Sequence, residues 1–227
     1  MDGLFTRTNN LLNPMPGLTG PMHRAPSQLF ARRLRRRHAG FGPGTAQVAA
    51  QGPATDRLFF AVLPDAETAG QIAERTARWR ADHGLRGKAL KPEHFHVTLC
   101  HVADMESAPS EAMIDALAER ASVLSMPSFR VEFDRVMSFT NGAFVLSGDE
   151  STIGLEVLQQ RLSDALDPSP RPARRFTPHL TLLRDQRRIA EQPVERIGWT
   201  AREVVLVHSL LGQTIHRHVA RVPLLQG

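Results

Sequence analysis

The chain has 227 residues, enough for one large domain or two small lobes, and 41% apolar with 22% charged residues is an ordinary globular balance. A single cysteine, Cys100, excludes an intramolecular disulfide framework and an all-cysteine zinc site. The net charge of +5 comes from residues 1–56, which hold 7 Arg and Lys against 2 Asp and Glu, because the rest of the chain holds 21 of each sign.

Residues 1–56 contain 7 Gly and 6 Pro and show almost no periodicity. We predict a disordered basic extension, with a short Arg-rich helix between Gln28 and His38 as its one candidate element. Three interpretations are open: an inert extension or a start codon placed too far upstream, a tail that tethers RNA, or a targeting peptide. No apolar run is long enough for a transmembrane helix or a secretory signal, so we expect no membrane partner and a cytoplasmic location.

From residue 57 onward the patterning predicts one domain, residues 57–227, in which strands and helices alternate. The predicted elements are a buried strand at 58–63, a helix at 66–80, a strand at 95–102, a helix at 109–124 with Pro109 in its first turn, a strand at 129–133, a turn at Asn141-Gly142 into a strand at 143–146, a helix capped by Ser151 and ending near Leu166, a strand at 179–183, and a last hairpin of strands 204–211 and 215–222. A helix followed by a His-x-Thr strand occurs twice, which indicates an internal duplication.

Two matching tetrapeptides carry the chemistry: His96-Val97-Thr98-Leu99 and His179-Leu180-Thr181-Leu182. Because side chains alternate along a strand, each segment presents one imidazole and one hydroxyl on the same face, backed by apolar residues on the other. One such motif is most often an ordinary strand segment. Two of them, each preceded by a helix, indicate a paired site.

That pairing suits phosphoryl chemistry without a metal ion. An imidazole titrates near neutral pH, so one histidine can take a proton from water while the other protonates a leaving oxygen. The hydroxyls of Thr98 and Thr181 can donate to phosphate oxygens, and Arg184 could clamp the same phosphate. We predict surface or structural roles for the remaining eight histidines. With no tyrosine in the chain, base stacking would have to use phenylalanine or tryptophan, and the candidates are Phe59, Phe95, Phe139 and Phe144.

Three segments, RLFFAVLP at 57–64, HVTL at 96–99 and FTPHLTLLRD at 176–185, resemble in order and spacing the 2H phosphoesterases, and within them the bacterial LigT-like RNA 2′,3′-cyclic phosphodiesterases, also called 2′-5′ RNA ligases. The resemblance implies a bilobal α+β fold, with two antiparallel sheets around a central cleft and helices outside. It implies that His96 is the general acid and His179 the general base, with Thr98 and Thr181 on the phosphate. One departure is the segment Cys100–Asp104, where such proteins continue with apolar residues and a glycine.

The implied activity is hydrolysis of a terminal 2′,3′-cyclic phosphate on RNA or an oligonucleotide to a 2′-phosphomonoester. We expect a monomer that needs no cofactor and no metal. Three alternatives stay open: 2′-5′ RNA ligation by the reverse chemistry, a non-catalytic RNA- or nucleotide-binding module, and a metal site built from His94, His96 and His179.

Overall fold

The computed structural model describes residues 53–148, 152–167, 169 and 176–226. The predicted N-terminal extension, residues 1–56, and the predicted cap Ser151 therefore lie outside the described residues, except for the last four residues of the extension. Within the described ranges the elements are, in chain order, β1 (Asp56–Val62), α1 (Ala66–Asp82), β2 (Val97–Met105), α2 (Glu111–Ser122), β3 (Phe129–Ser138), β4 (Ala143–Ser147), α3 (Ile153–Leu166), β5 (His179–Arg184), β6 (Gln192–Ala201), β7 (Glu203–Leu210) and β8 (Ile215–Pro223).

The strands form two four-stranded antiparallel sheets, ordered β2-β1-β7-β8 and β5-β4-β3-β6. The predicted α+β class with two antiparallel sheets is confirmed. The sheets repeat one topology, because β1–α1–β2 and β4–α3–β5 each run from a strand through a helix to an edge strand that pairs with the first. The two edge strands, β2 and β5, contact each other. The duplication expected from the sequence thus places both His-x-Thr segments where the two sheets meet.

Helix starts depend on side chains that satisfy free backbone N–H groups. Asp65 accepts a hydrogen bond from the backbone N–H of Thr68 at 2.8 Å and caps α1. Ser110 accepts from the N–H of Met113 at 3.3 Å and caps α2. The prediction that Pro109 lies in the first turn of this helix was wrong, because the serine cap places that proline before the helix begins.

Strand β6 was not predicted from the sequence. Pro193 and Gly198 interrupt its pattern, and both residue types argue against a central strand. The structure resolves the conflict because β6 is an edge strand, where proline is tolerated. A Cβ on Gly198 would stand 2.5 Å from the carbonyl oxygen of Val131, so the close approach of β3 requires glycine there.

One face of each sheet packs into a shared apolar core. Phe60 of the first sheet and Phe133 and Trp199 of the second are almost fully buried in it. The other face of the first sheet carries a smaller buried cluster of Phe59, Ala61, Val205 and Val207. This second face is the one on which the candidate site lies. No helix in the described part of the chain is long and apolar enough to cross a membrane.

Candidate active site

The main chain holds the ring of His96, which lies just before β2. Its Nδ1 donates a hydrogen bond to the carbonyl oxygen of His94 at 2.7 Å, and His94 ends a short 3-10 turn, Pro92–His94. A carbonyl oxygen can only accept, so Nδ1 carries the proton of the neutral ring. Nε2 is therefore the atom of His96 that is available to exchange a proton with a ligand.

His179, the first residue of β5, is held in the same way. Its Nδ1 donates to the carbonyl oxygen of Thr177 at 2.7 Å, again two residues earlier in the chain. Pro178 restricts Thr177 to an extended backbone, which fixes the direction of that carbonyl. Both histidines thus share one tautomer and one free nitrogen, Nε2, as an acid–base pair needs.

The two threonines lie on the same faces as their histidines. Thr98 pairs with Ala61 and so belongs to the face of the first sheet that carries the smaller cluster. On β5, His179 pairs with Ser147 and Thr181 with Val145, two positions apart on β4. Each edge strand therefore presents an imidazole and a hydroxyl together, as the alternation of the sequence predicted.

Each histidine ring also contacts one phenylalanine. The ring centroids of Phe59 and His96 are 5.0 Å apart, and those of Phe139 and His179 are 4.8 Å apart in an edge-to-face arrangement. Phe95 and Phe144 lie in the core, so the prediction that they could stack on a base was wrong. Phe59 is itself almost buried, which leaves the partly exposed Phe139 as the candidate that a base can reach.

The surroundings of His96 favour its neutral form. Burial lowers its pKa below the ordinary 6.5, and positive charge on His179, His94 or His218 lowers it further. The hydrogen bond to the carbonyl of His94 acts in the opposite direction. The effect of charge on His179 means that the two site imidazoles are near enough to interact electrostatically.

Arg184 lies three residues after Thr181, so simple alternation would place it on the opposite face. The ladder between β4 and β5 shifts register between Phe144 and Val145, and both Leu182 and Leu183 are buried. Arg184 then pairs with Ala143, two residues from the partner of Thr181. This β-bulge returns the exposed Arg184 to the face of His179 and Thr181, about 7 Å further along the strand.

Sequence reasoning missed the residues that complete the surroundings of His96. The ring of His216, on β8, lies 5.3 Å from that of His96 and 4.9 Å from that of His94, each pair edge to face. Burial lowers the pKa of His216 to about 4, so this ring is neutral at physiological pH. On the other sheet, Ser147 is a buried hydroxyl directly opposite His179. The prediction of a purely structural or surface role for His216 does not describe its place beside His96.

The metal-site hypothesis gains no support. In the ranges that the structure describes, no three His, Cys, Asp or Glu side chains are grouped so that they could hold a metal ion. A cavity of about 810 Å³ is lined by the N-terminal end of α1 and parts of β3, β6, β7 and β8, among them Arg130, Arg202 and His218. Neither His96 nor His179 lines it, so the two His-x-Thr motifs have their histidines outside this cavity.

Comparisons with known proteins agree with this geometry. The family model described as the 2′-5′ RNA ligase superfamily matches residues 68–212, a range that contains both histidines. The RNA 2′,3′-cyclic phosphodiesterase of Escherichia coli (strain K12) is 30% identical over 149 residues, which is 63% of this chain and 80% of that protein. Crystal structures of E. coli LigT with 3′-AMP and with phosphate are 26% and 25% identical, with TM-scores of 0.60 and 0.59, and each comparison covers 77% of this chain and 100% of the LigT chain.

Proposed function

Because the chain belongs to the 2′-5′ RNA ligase superfamily, we propose that it is an RNA 2′,3′-cyclic phosphodiesterase, an enzyme that opens the terminal cyclic phosphate of an RNA or oligonucleotide. The similar E. coli protein has this name, and the similar LigT structures hold a nucleotide and a phosphate. The observation that carries the proposal is the matched hydrogen bonding of His96 and His179, because it leaves one free Nε2 at the start of each of two edge strands that contact each other.

In the reaction, Nε2 of His179 takes a proton from water while the water oxygen bonds to phosphorus. The bond between phosphorus and the 3′-oxygen breaks, and Nε2 of His96 gives its proton to that oxygen. The products are a 2′-phosphomonoester and a 3′-hydroxyl, and each histidine ends in the protonation state in which the other began. Proton exchange with solvent restores the pair. The choice of the 2′ product follows from family resemblance.

The hydroxyls of Thr98 and Thr181 donate to the non-bridging phosphate oxygens on which negative charge grows as water attacks. Arg184 lies beyond Thr181 on the same face, where a guanidinium adds charge-assisted hydrogen bonds to phosphate. Burial alone would keep His96 neutral, which opposes its role as an acid. An anionic phosphate between the rings acts in the opposite direction, because a nearby negative charge favours the imidazolium.

The direct test is digestion of a 2′,3′-cyclic nucleotide in EDTA, followed by separation of the 2′- and 3′-monophosphates. We expect a 2′-monophosphate with no loss of rate in the chelator. His96→Ala and His179→Ala should each lower kcat by about 10²- to 10⁴-fold. His101→Ala is the matched control, because His101 is exposed on the same strand as Thr98 and pairs with Asp104 instead. Full activity after both His96 and His179 are replaced by alanine would refute the mechanism. Activity that is lost in EDTA would instead support the metal-site hypothesis.

Ligation of RNA is the second candidate, favoured by the name of the matching superfamily. It opens the same cyclic phosphate with a 5′-hydroxyl attacking phosphorus in place of the water. The bond to the 3′-oxygen breaks, that oxygen takes a proton, and a 2′-5′ linkage forms. Incubation of RNA halves that carry cyclic-phosphate and 5′-hydroxyl ends would separate the two activities. A ligated product that depends on both His96 and His179 would establish ligation.

A non-catalytic binding module would need hydrogen-bond donors but no acid–base pair, so cyclic-nucleotide turnover excludes it. One chain supplies both histidines and both threonines, which is consistent with the proposed monomer. The cytoplasmic location and the role of residues 1–56 stay predictions. Deletion of residues 1–56 tests the tail: we expect turnover of a cyclic mononucleotide to survive, and salt-sensitive affinity for long RNA to fall if the tail tethers RNA.

A further inference from the structure

The outer edge of β5 is covered by the chain segment that follows α1. Ala89 forms an antiparallel bridge with Leu183, and the backbone N–H of Leu90 donates to the carbonyl oxygen of Leu182 at 2.8 Å. The approach is close, because a Cβ on Gly87 would stand 2.0 Å from the carbonyl oxygen of Arg184. The segment therefore continues the sheet beyond the strand that carries His179.

This junction gathers four exposed cations, Arg86, Lys88, Arg184 and Arg187, which we call the basic rim. The antiparallel bridge next to them places Lys88 beside Arg184. Nη1 of Arg187 lies 3.0 Å from where a Cβ on Gly84 would stand, so its side chain lies over the start of the covering segment. Residues from two distant parts of the sequence thus form one basic surface.

The charge of the rim is not balanced locally. Asp185 is the only carboxylate in segments 84–91 and 184–188. Its oxygens accept backbone N–H groups of Arg86 and Gly87, both at 2.6 Å, and of Arg187 at 2.8 Å, and these bonds lower its pKa. In the described ranges no rim side chain forms an ion pair with a carboxylate. The carboxylate holds the two segments together, and the four cations remain available to an external anion.

The rim begins where the candidate active site ends. Arg184 is on the face of His179 and Thr181, and the other three cations lie beyond it, around the end of β5. A line of cations that continues from a phosphate site is the arrangement by which proteins follow the backbone of a single-stranded nucleic acid. An isolated patch elsewhere on the surface would not have this continuity with the site.

We propose that the basic rim binds the phosphodiester backbone of the nucleotides on the 5′ side of the terminal cyclic phosphate. This inference rests on the proposed function and makes it more specific: the substrate is an RNA strand several nucleotides long, and a cyclic mononucleotide is only its reactive end. Lys88 and Arg187 are the residues that separate strand binding from chemistry, because both lie beyond Arg184 and outside the strand that carries His179 and Thr181.

The test compares a 2′,3′-cyclic mononucleotide with a single-stranded oligonucleotide of about ten residues that ends in the same cyclic nucleotide. The variant is Lys88→Gln/Arg187→Gln in the full chain. The control is Arg78→Gln/Arg80→Gln, which removes the same charge from two exposed residues of α1. We expect kcat/KM for the oligonucleotide to fall about tenfold through KM, with a salt slope weaker by about 1.4, which is about 0.7 for each of the two cations removed. Turnover of the mononucleotide should stay within about twofold.

An equal loss on both substrates would overturn the proposal, since it would mean damage to the site. An equal loss in the control variant would overturn it as well, since it would mean a general effect of net charge. Fluorescence anisotropy of a labelled oligonucleotide with a 3′-phosphate end is the second measurement, and it needs no turnover. If the protein turned over neither substrate, the proposed function would fail while anisotropy still decided the role of the rim. Unchanged RNA affinity in the rim variant would overturn the inference and indicate a different anionic partner, such as an acidic protein.

Discussion

The ring of His216 stands edge-on to that of His96, with centroids 5.3 Å apart and planes at 75°. The ring of Phe59 contacts both the ring of His216 and the ring of His96. The two rings shield His96 from water, and burial is the main reason why the pKa of His96 is below its ordinary value. His216 is neutral above about pH 5, because its own pKa is lowered to about 4. Near neutral pH, His216 therefore lowers the pKa of His96 by excluding water from it and not by carrying a positive charge.

Replacing His216 should change the pKa of His96 in a direction set by that shielding. His216→Ala admits water beside His96, so the pKa of His96 should rise toward 6.5. His216→Phe keeps an aromatic ring in place and should leave that pKa near its original value. NMR titration of the His96 ring in both variants measures the effect. A rise of the same size in the phenylalanine variant would show that shielding by the ring is not the cause.

The pH dependence of turnover should differ between free and substrate-bound enzyme. In the proposed mechanism His96 must be charged, so activity falls as pH rises through its pKa. In the free enzyme that pKa is below 6.5, so the basic limb of kcat/KM should begin below pH 6.5. Bound phosphate raises the pKa, so the basic limb of kcat should lie at higher pH than that of kcat/KM.

The residual activity of single variants tests which histidine has which role. In His96→Ala the basic limb should disappear and the acid limb remain, and in His179→Ala the reverse should hold. The opposite pattern would exchange the two roles, with His96 as base and His179 as acid. Both variants are compared with the unmodified protein over the same pH range.

The paired motifs could be predicted because each depends only on residues that are close together in the sequence. Residues two apart on a strand share a face, so His96 with Thr98 and His179 with Thr181 could be placed together from spacing alone. A helix precedes each motif, and this repeat predicted that the two motifs occupy equivalent positions in a duplicated arrangement of strands and helices. These features depend on short stretches of chain, and the structure arranges them as the alternation required.

The place of His216 was not predictable, since it depends on strand pairing over long sequence distances. Phe59 pairs with Val207, and Val207 pairs with His218, which brings β8 to the face of His96. The face of Arg184 depends likewise on a bulge that is set by the ladder with β4. The spacing of His216 and His218 shows that both lie on one face of a strand. It does not show which strand pairs with that strand.

Two glycines with positive φ offer a matched test of the hairpin that leads into β4. Gly142 has φ +85°, and a Cβ there would stand 2.9 Å from the carbonyl oxygen of Asp185. Gly212 has φ +78°, with nothing within 4 Å of the corresponding position. Gly212→Ala should lower the free energy of unfolding by about 1 kcal/mol through backbone strain alone. Gly142→Ala should lower it by about 2 kcal/mol or more, because the backbone of Asp185 must also move.

Urea denaturation of both glycine variants, with circular dichroism as the signal, measures the difference. The turn at Gly142 lies next to Asp185, whose carboxylate holds the covering segment against β5. Equal losses of the free energy of unfolding in the two variants would show that the contact between the added Cβ and the carbonyl oxygen of Asp185 does not destabilise the fold.

Acid stability should depend on a buried hydrogen bond between Asp56, the first residue of β1, and His208. Oδ1 of Asp56 lies 2.5 Å from Nε2 of His208, and the hydroxyl of Thr55 donates to Oδ2 at 2.6 Å. The Thr55 hydrogen bond, followed by the one from His208, holds the pKa of Asp56 below its ordinary 3.8. A carboxyl group whose pKa is lower in the folded state stabilises the fold above its unfolded pKa, and this contribution is lost as pH falls from about 4 through the folded value.

Asp56→Asn should therefore lower the melting temperature at pH 6 by several degrees, since it removes the carboxylate to which buried His208 is hydrogen-bonded. It should also flatten the fall in stability below about pH 4, because the group that titrates there is gone. Thermal denaturation between pH 3 and pH 6, followed by circular dichroism, measures both effects. Asp115→Asn, at an exposed position on α2, is the control and should leave the acid limb unchanged. If Asp56→Asn kept the acid limb of the unmodified protein, the pair with His208 would not be the source of its acid sensitivity.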